Sequence, residues 1–230
     1  MYIVIVNEDP LGRALAAALV ENGHEVAYVD ENEEYCNMVA TELGCLVIHG
    51  ETTNIRILQE AGIERAGVIV ALLEKDIENI MIGLFARQYQ VPHILARLRQ
   101  EHYRSAYELA GINNIFSGFS YVLNQLLIAI EDPSVRQVMK LGDGQVEIAA
   151  IDLSPESPFV GKTVNTLWEH KAFPSGALIL GVLNDKEQSF QLPGARPALQ
   201  ADDEILAVAS HEDIHQIAEI LTGQRRRLLG

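Results

Sequence analysis

Short apolar segments alternate with amphipathic segments through the first half of the chain, and this alternation constrains the fold more than any other feature. The apolar segments are rich in valine and isoleucine, and they lack the alternating polar residues of a strand with one face in water. Strands that are apolar on both faces need helices on both sides, and the intervening segments have helical periodicity. The pattern therefore predicts an α/β fold built on a doubly wound, Rossmann-like parallel sheet.

The order of these segments predicts five β-α units and a last short strand. The predicted strands are Tyr2–Val6, Glu25–Val29, Leu46–Ile48, Val68–Leu73, His93–Leu98 and Asn114–Phe116. The predicted helices are Leu11–Asn22, Glu33–Leu43, Ile55–Ala61, Asp76–Tyr89 and Glu101–Ala110. A further helix at Ser120–Ile130 carries leucine and isoleucine on more than one face. We interpret it as a helix that leaves the first domain and contacts a partner.

The residue pattern changes after Glu131-Asp132-Pro133 and Gly142-Asp143-Gly144, which interrupt the helical periodicity. The predicted elements beyond them are strands at Val146–Leu153, Ala177–Leu183, Ser189–Leu192 and Glu204–Ala209, a hairpin turn at Asp185-Lys186, and a helix at Glu212–Leu221. We therefore divide the chain into a Rossmann-like domain with the apolar helix at 1–132, a hinge at 133–144, a small α+β domain at 145–222 and a flexible basic tail at 223–230.

The composition narrows the classes of function. The formal net charge of −15 argues against broad nucleic-acid binding, which requires a basic surface for phosphate contacts. The apolar runs are far shorter than the ~20 residues of a membrane-spanning helix. The N-terminus has no basic segment or cleavage site, so we expect no export signal. Cys36 and Cys45 lie outside any CxxC pair, which suggests thiols in the reducing cytoplasm.

The turn after the first strand is the place where a Rossmann fold carries the phosphate-binding motif GxGxxG. Here the turn is Asn7-Glu8-Asp9-Pro10-Leu11-Gly12, in which Gly12 alone matches, as the glycine that allows close packing of helix on strand. Asp9 is suited to cap the helix, followed by Pro10 at its first position, and the acidic pair Glu8 and Asp9 would repel a phosphate. Asp30 nevertheless ends the second strand where an acidic residue bonds ribose hydroxyls. These residues leave open both a nucleotide site and an empty structural Rossmann unit.

Other motifs in the sequence are weaker evidence for a particular function. Gly161-Lys162-Thr163 lacks the upstream glycine and the strand-helix context of a P-loop. His211-Glu212-Asp213-Ile214-His215 matches the zinc motif HExxH, but a surface helix start explains it better. Arg97 and Arg99 lie at the carboxyl edge of the predicted sheet, where they either offset anionic groups or are merely solvated. We expect Arg225-Arg226-Arg227 to be a flexible tail, and a weak contact with anionic lipid is the alternative. No nucleophile-base arrangement stands out, so we predict no enzyme activity.

Several segments together resemble one family. They are Gly50-Glu51-Thr52-Thr53, Leu58–Ile63, Val68–Ala71, Asp76-Ile77-Glu78-Asn79, Ile94–Arg97, Ala110-Gly111-Ile112, Ser157–Lys162 and Ala201–Val208. In this order they resemble the RCK, or KTN, regulators of potassium conductance, which include the Trk and Ktr cytoplasmic subunits. The resemblance covers residues 1 to 222.

The resemblance implies a Rossmann domain, a crossover helix that forms dimers, and a C-terminal ligand-sensing domain. It also implies a ring, commonly octameric, on the cytoplasmic side of a membrane potassium transporter or channel subunit, with ATP, ADP, AMP or NAD(H) in the Rossmann cleft. Cyclic di-AMP or cations bind elsewhere in some members. The implied cleft residues are Asn7, Glu8, Asp9, Pro10, Leu11, Gly12, Asp30, Glu51, Thr52, Leu72, Leu73 and Arg97.

The chain departs from the family pattern inside this cleft. Asn7 and Asp9 replace glycines, Glu51 replaces a common aspartate, and Leu72 and Leu73 lie near a position often held by a hydroxyl residue. Two alternatives to a ligand-gated regulator therefore stay open. One is an NAD-dependent oxidoreductase, which the Rossmann pattern and Asp30 suggest but which lacks a visible acid or base. The other is a ligand-free structural partner of a nucleotide-binding paralogue.

Overall fold

The computed structural model describes residues 1–112, 114–141, 145–184, 189–194 and 198–223. They form two compact units, Met1–Tyr121 and Val122–Gly230. Within the described part of the chain, no helix combines the length and apolarity needed to cross a bilayer.

The first unit alternates strands and helices as the sequence predicts. Its strands are β1 (Tyr2–Asn7), β2 (Glu25–Asp30), β3 (Leu46–His49), β4 (Val68–Leu72), β5 (His93–Arg97) and β6 (Asn114–Phe116). Its helices are α1 (Pro10–Glu21), α2 (Glu33–Leu43), α3 (Ile55–Glu60), α4 (Asp76–Gln88) and α5 (Arg104–Leu109), with short 3-10 turns at Ile63–Arg65 and Glu101–Tyr103. The predicted helix at Glu101–Ala110 is thus a 3-10 turn followed by α5.

The strands form one parallel sheet in the order β3-β2-β1-β4-β5-β6. Alternate residues of β1 belong to two separate cores: Val4 and Val6 pack with α3, α4 and α5, whereas Ile3 and Ile5 pack with α1 and α2. The prediction of a doubly wound parallel sheet is confirmed. The chain order reverses between β1 and β4, so the carboxyl ends of β1, β2 and β4 meet at the switch point where ligands bind such sheets.

The second unit begins inside a long helix, α6 (Gly118–Glu131). Its other elements are β7 (Val135–Leu141), β8 (Val146–Asp152), α7 (Val164–Trp168), β9 (Leu178–Asn184), β10 (Ser189–Gln191), β11 (Glu204–Ala209) and α8 (His211–Thr222). The strands form an antiparallel sheet in the order β10-β9-β11-β8-β7. The buried stripe of α8, at Ile214, Ile217, Ala218 and Leu221, packs in the core of this unit.

The segment predicted as a hinge, 133–144, contains strand β7, which pairs along β8. This prediction was wrong for Val135–Leu141 because the prolines and glycines that flank the strand obscured its β-branched and apolar residues. The second unit also begins earlier than predicted, since Ile128 of α6 is buried in its core. Residues 142–144, the predicted turn at Asp185-Lys186 and the tail from 224 onward lie outside the described residues.

Candidate ligand-binding site

The candidate site lies at the carboxyl edge of the parallel sheet. Register pairs Asn7 at the end of β1 with Asp30 at the end of β2 and with Leu72 at the end of β4. The next strand, β5, ends at Arg97. The topology therefore brings together residues from four separate β-α connections.

Asn7 fills the space that a glycine would leave open. Its side chain is fully buried, and its Nδ2 donates to the Asp9 carbonyl at 2.6 Å and to the Tyr28 hydroxyl at 2.8 Å. A Cβ atom placed on Gly12 would lie only 2.2 Å from Cγ and Oδ1 of Asn7. Gly12 therefore allows close packing of α1 on β1, as expected. The side chain of Asn7, however, lies where a dinucleotide-binding fold normally has a glycine without a side chain.

Asp9 places a carboxylate at the N-terminus of α1. Its Oδ1 accepts a hydrogen bond from the Leu11 amide at 2.8 Å, and Pro10 occupies the first helical position without needing a partner for its nitrogen. Its Oδ2 forms an ion pair with Nη1 of Arg97. A helix N-terminus favours negative charge, and here the protein's own carboxylate supplies it. The anion position of the fold is thus occupied by Asp9.

Arg97 is the cation of the site and is only partly satisfied. Its side chain is largely buried, and Nε and Nη2 have no hydrogen-bond partner among the described residues. Nη2 lies 3.6 Å from Oε1 of Glu74, which is an ion pair too long for a hydrogen bond. Buried donors without a partner are costly, so these two nitrogens are suited to an oxygen-rich ligand.

Asp30 is buried and already bonded. Its Oδ1 accepts from the Asn32 amide at 2.8 Å, and its Oδ2 accepts from the Tyr28 hydroxyl at 2.9 Å and from Asn7 at 3.4 Å. Burial, followed by the neighbouring Asp30 carboxylate, raises the pKa of Tyr28, so this phenol stays protonated and donates. Asp30 therefore organises the ends of β1 and β2, and a ribose would have to share its oxygens.

Glu31 contacts the predicted site although the sequence analysis did not single it out. Its Oε1 accepts from the backbone nitrogen of Thr52 at 2.9 Å and from the Thr52 hydroxyl at 3.0 Å. Thr52 is buried, whereas Glu51 beside it is exposed. The sequence could have indicated Glu31 as a site residue, because it directly follows Asp30, the acidic residue that ends β2.

Glu8 adds a further carboxylate at the edge. Its Oε2 accepts from the Glu74 amide at 2.9 Å. Burial raises the pKa of Glu8, the hydrogen bond from Glu74 opposes that change, and the charges of Glu78 and Glu31 add to it. The edge is consequently rich in carboxylates, a field that weakens binding of phosphates and favours neutral or cationic groups.

Leu72 and Leu73, both predicted to line the cleft, are buried hydrophobic residues. The turn that follows them is held by Asn79, which accepts from the Leu73 amide at 2.8 Å and donates to the carbonyls of Leu73 and Arg97, each at 3.1 Å. Asn79 therefore ties the carboxyl end of β4 to that of β5.

A second network fixes the end of β5. The carboxylate of Asp76 accepts from the amides of Arg99 and Gln100, and the Tyr107 hydroxyl donates to Asp76 at 2.8 Å while lying 2.8 Å from the Arg97 carbonyl. Burial and the bond to Asp76 raise the pKa of Tyr107. Asp76 and Asn79, from the family-like segment, thus serve to hold the backbone that carries Arg97.

The residues present fit a nucleotide only in part. The unpartnered donors of Arg97 suit a phosphate, but Asn7 fills the turn and Asp9 holds the position at the α1 N-terminus where the phosphate would bind. No group of three or more metal-ligating side chains occurs within the described ranges. A phosphate would bind at the α1 N-terminus only after the carboxylate of Asp9 leaves that position, whereas Nε and Nη2 of Arg97 have no hydrogen-bond partner to displace among the described residues.

The parallel sheet with its switch-point cleft places the first unit in the class of dinucleotide-fold ligand-binding domains. Residues 3–118 match the TrkA-N domain, and residues 148–222 match the TrkA-C domain. The chain belongs to the TrkA family, and the resemblance to the RCK regulators drawn from its sequence is confirmed.

Three known proteins illustrate the similarity. A Trk system potassium uptake protein TrkA homologue of Methanothermobacter thermautotrophicus is 34% identical over 164 residues, which are 71% of this chain and 76% of that protein. A homologue of the same name from Pyrococcus horikoshii is 23% identical over 233 residues, covering 98% of this chain and 99% of that one. The GsuK channel bound to NAD has the same fold, with a TM-score of 0.68 and 22% identity. The match covers 98% of this chain and 40% of the channel chain, and the chain also spans less than half of several longer curated relatives.

Proposed function

We propose that this chain is a regulatory subunit of a potassium uptake system, bound at the cytoplasmic face of a membrane transporter or channel subunit. The observation that carries the proposal is the match of both units, in order, to the TrkA-N and TrkA-C domains. It is supported by relatives named Trk system potassium uptake protein TrkA homologue, which this chain matches over 76% and 99% of their lengths. The chain itself acts on no substrate in this proposal.

Self-association is the second part of the proposal. Large apolar side chains are exposed along α6, namely Phe119, Tyr121, Val122, Leu123, Leu126, Leu127 and Ile130. In addition, a groove of about 350 Å³ on the first unit is lined by apolar residues that include Ile3, Leu15, Leu19, Val70 and Leu95. Exposed apolar surface of this kind marks interaction sites, and we assign α6 to the contact between two copies of the chain. Dimers of this kind would then assemble into a ring, which we propose to be octameric.

The path from cleft to partner follows the chain. Strand β6 ends at Phe116 and α6 begins at Gly118, so only Ser117 separates the sheet edge from the helix. Farther along the same helix, Ile128 lies in the core of the second unit. A ligand at the cleft changes the state of the assembly only if it binds two conformations with different affinity. We propose that α6 transmits the change between these two conformations from one unit to the other.

We propose that the ligand is an adenine nucleotide or NAD(H), contacting residues among Asn7–Gly12, Asp30, Glu51, Thr52, Leu72, Leu73 and Arg97. In this proposal a phosphate and the carboxylate of Asp9 compete for Arg97. The ion pair between Asp9 and Arg97 is therefore the ligand-free state of the site, and a phosphate bound at the α1 N-terminus must replace it.

Potassium uptake tests the regulatory role. The chain is expressed beside a Trk-type pore protein in bacteria that lack other potassium uptake, and rubidium influx is measured. We expect influx to depend on the chain and the pore protein to co-purify with it. Equal influx with and without the chain, together with no co-purification, contradicts the proposal.

Calorimetry with ATP, ADP, AMP and NADH tests the cleft, using the wild type and Asp9→Gly. Removing the carboxylate frees Arg97 and the α1 N-terminus, so we expect at least one of these ligands to bind about 10-fold more tightly to the variant. Arg13→Gly on α1 is a matched control, because its partner is Glu42 outside the cleft. Equal affinity of the wild type and Asp9→Gly contradicts competition at Arg97.

The occupied anion position also favours a second candidate, a structural partner whose cleft binds no nucleotide. This candidate predicts no heat with any of the four ligands for either the wild type or Asp9→Gly, while dimer formation persists. For the oxidoreductase alternative, we expect no change in nicotinamide absorbance with a panel of small substrates.

A further inference from the structure

The HExxH segment of the second unit brings two imidazoles together. His211 and His215 lie one turn apart at the start of α8, and their Nε2 atoms are 3.1 Å from each other. The rings meet almost at right angles, with an interplanar angle of 88°. Two ring nitrogens thus converge on one point beside the helix.

The opposite nitrogen of each ring faces a carboxylate. His215 Nδ1 lies 2.9 Å from Oδ2 of Asp132, the residue that follows α6. His211 Nδ1 lies 3.2 Å from Oε1 of Glu147, a nearly buried residue of β8. Among the described residues, the Ser134 hydroxyl lies 2.7 Å from Asp132 and Lys140 Nζ lies 3.5 Å from Glu147. The two rings are therefore held by carboxylates from two segments, strand β8 and the residue after α6.

This arrangement decides the tautomer of both rings. An ionised carboxylate only accepts hydrogen bonds, so each Nδ1 must carry the hydrogen. A neutral imidazole protonated at Nδ1 has a lone pair at Nε2. Two Nε2 lone pairs 3.1 Å apart repel, and the contact becomes favourable when a metal cation or a shared proton lies between them.

We propose that His211 and His215 bind a divalent cation of the zinc class through their Nε2 atoms. Zinc holds imidazole nitrogens at about 2.0 to 2.1 Å in a tetrahedron, which places two such nitrogens about 3.3 Å apart. The observed 3.1 Å is close to this separation. The carboxylates of Asp132 and Glu147 supply the hydrogen bonds that commonly orient metal-bound histidines.

The remaining coordination positions face water. The His211 side chain is 55% exposed, so the cation site is open on that side. Imidazole ligands select zinc over magnesium or calcium, which prefer oxygen ligands. The bound cation would link the first turn of α8 to β8 and to the residue after α6, and it would stabilise the second unit.

Calorimetric titration of the full, tag-free chain with zinc chloride at pH 7.5 tests the proposal. We expect saturable binding to the wild type and a rise in melting temperature, and no heat with magnesium chloride. His211→Gln and His215→Gln should each weaken binding at least 10-fold. Asp132→Asn and Glu147→Gln should weaken it about 10- to 100-fold, the range found for partners of metal ligands. His170→Gln is the matched control, because that ring contacts Phe159 and the Ala172 amide instead, and it should leave binding unchanged.

Circular dichroism of each variant without zinc checks that the second unit is folded. Binding retained in both folded histidine variants means that zinc adheres elsewhere and overturns the proposal. Absence of zinc binding at about 100 µM also overturns it, and a histidine nitrogen NMR spectrum would then show a proton shared between the two rings in place of a metal.

Discussion

Leu126 provides the sharpest test of the α6 interface. Its side chain is 56% exposed on the helix. Full burial of a leucine side chain contributes about 1.5 to 3 kcal/mol, so covering the exposed part contributes about 1 to 1.5 kcal/mol per copy. In a two-fold symmetric dimer the residue counts twice, and Leu126→Ala should therefore cost about 2 to 3 kcal/mol of association free energy. That cost corresponds to a dimer dissociation constant about 30- to 150-fold higher.

Leu126→Asp should have a larger effect than Leu126→Ala. An aspartate at this position must lose its hydration in the contact, and an unpaired buried charge costs several kcal/mol. We expect this variant to be monomeric at micromolar concentration.

Sedimentation equilibrium measures the dissociation constants of the wild type and both Leu126 variants. Leu46→Asp is the matched control, because Leu46 is 42% exposed on β3, at the opposite edge of the parallel sheet from β6, which leads into α6. The control should associate like the wild type. A monomeric wild type, or a Leu126→Asp variant that associates as tightly as the wild type, refutes the assignment of α6.

Two further predictions concern the cleft. Asp30→Ala removes a charged acceptor and should weaken binding of any adenosine ligand by about 1.5 to 3 kcal/mol, measured by calorimetry with a thermal melt to verify folding; an unchanged dissociation constant places the ligand elsewhere. Glu8→Gln should raise the melting temperature at pH 7, because burial raises the pKa of Glu8 above its ordinary 4.5. Ionisation of Glu8 therefore has a higher free-energy cost in the folded state than in the unfolded chain, and the stability of the wild type falls as pH rises through the raised pKa. The gain in melting temperature should vanish below about pH 4.5, and the exposed control Glu60→Gln should show neither effect.

The strands and helices of the first unit were predictable because each has a local cause. Continuous apolar runs predicted buried parallel strands, and helix starts were marked by capping residues such as Asp9, Asn32 and Asn54, whose side chains accept from the first turns of α1, α2 and α3. Strand β7 was missed although its partner β8 is the next strand in the chain, because proline and glycine residues flank the segment and polar residues interrupt its apolar ones.

The chemistry of the cleft was only partly predictable. The sequence placed Asp9 and Arg97 at the same edge of the sheet, but it did not reveal that the two form an ion pair. Likewise, the hydrogen bonds that Asp30 accepts from Asn7 and that Glu31 accepts from Thr52 join separate strands and turns. Partner choice among several neighbouring charges depends on side-chain geometry, which no spacing rule supplies.

The contact between Asn7 and Gly12 makes the two positions evolve in a fixed order. With asparagine at position 7, even a methyl group at position 12 would collide at 2.2 Å. Alanine at position 12 becomes tolerable only after position 7 has lost its side chain. Restoring glycine at position 7 alone, in turn, deprives Tyr28 and Asp30 of an amide donor. A mutational route back to a bare phosphate loop must therefore include position 7, at a cost in stability that other substitutions would have to repair.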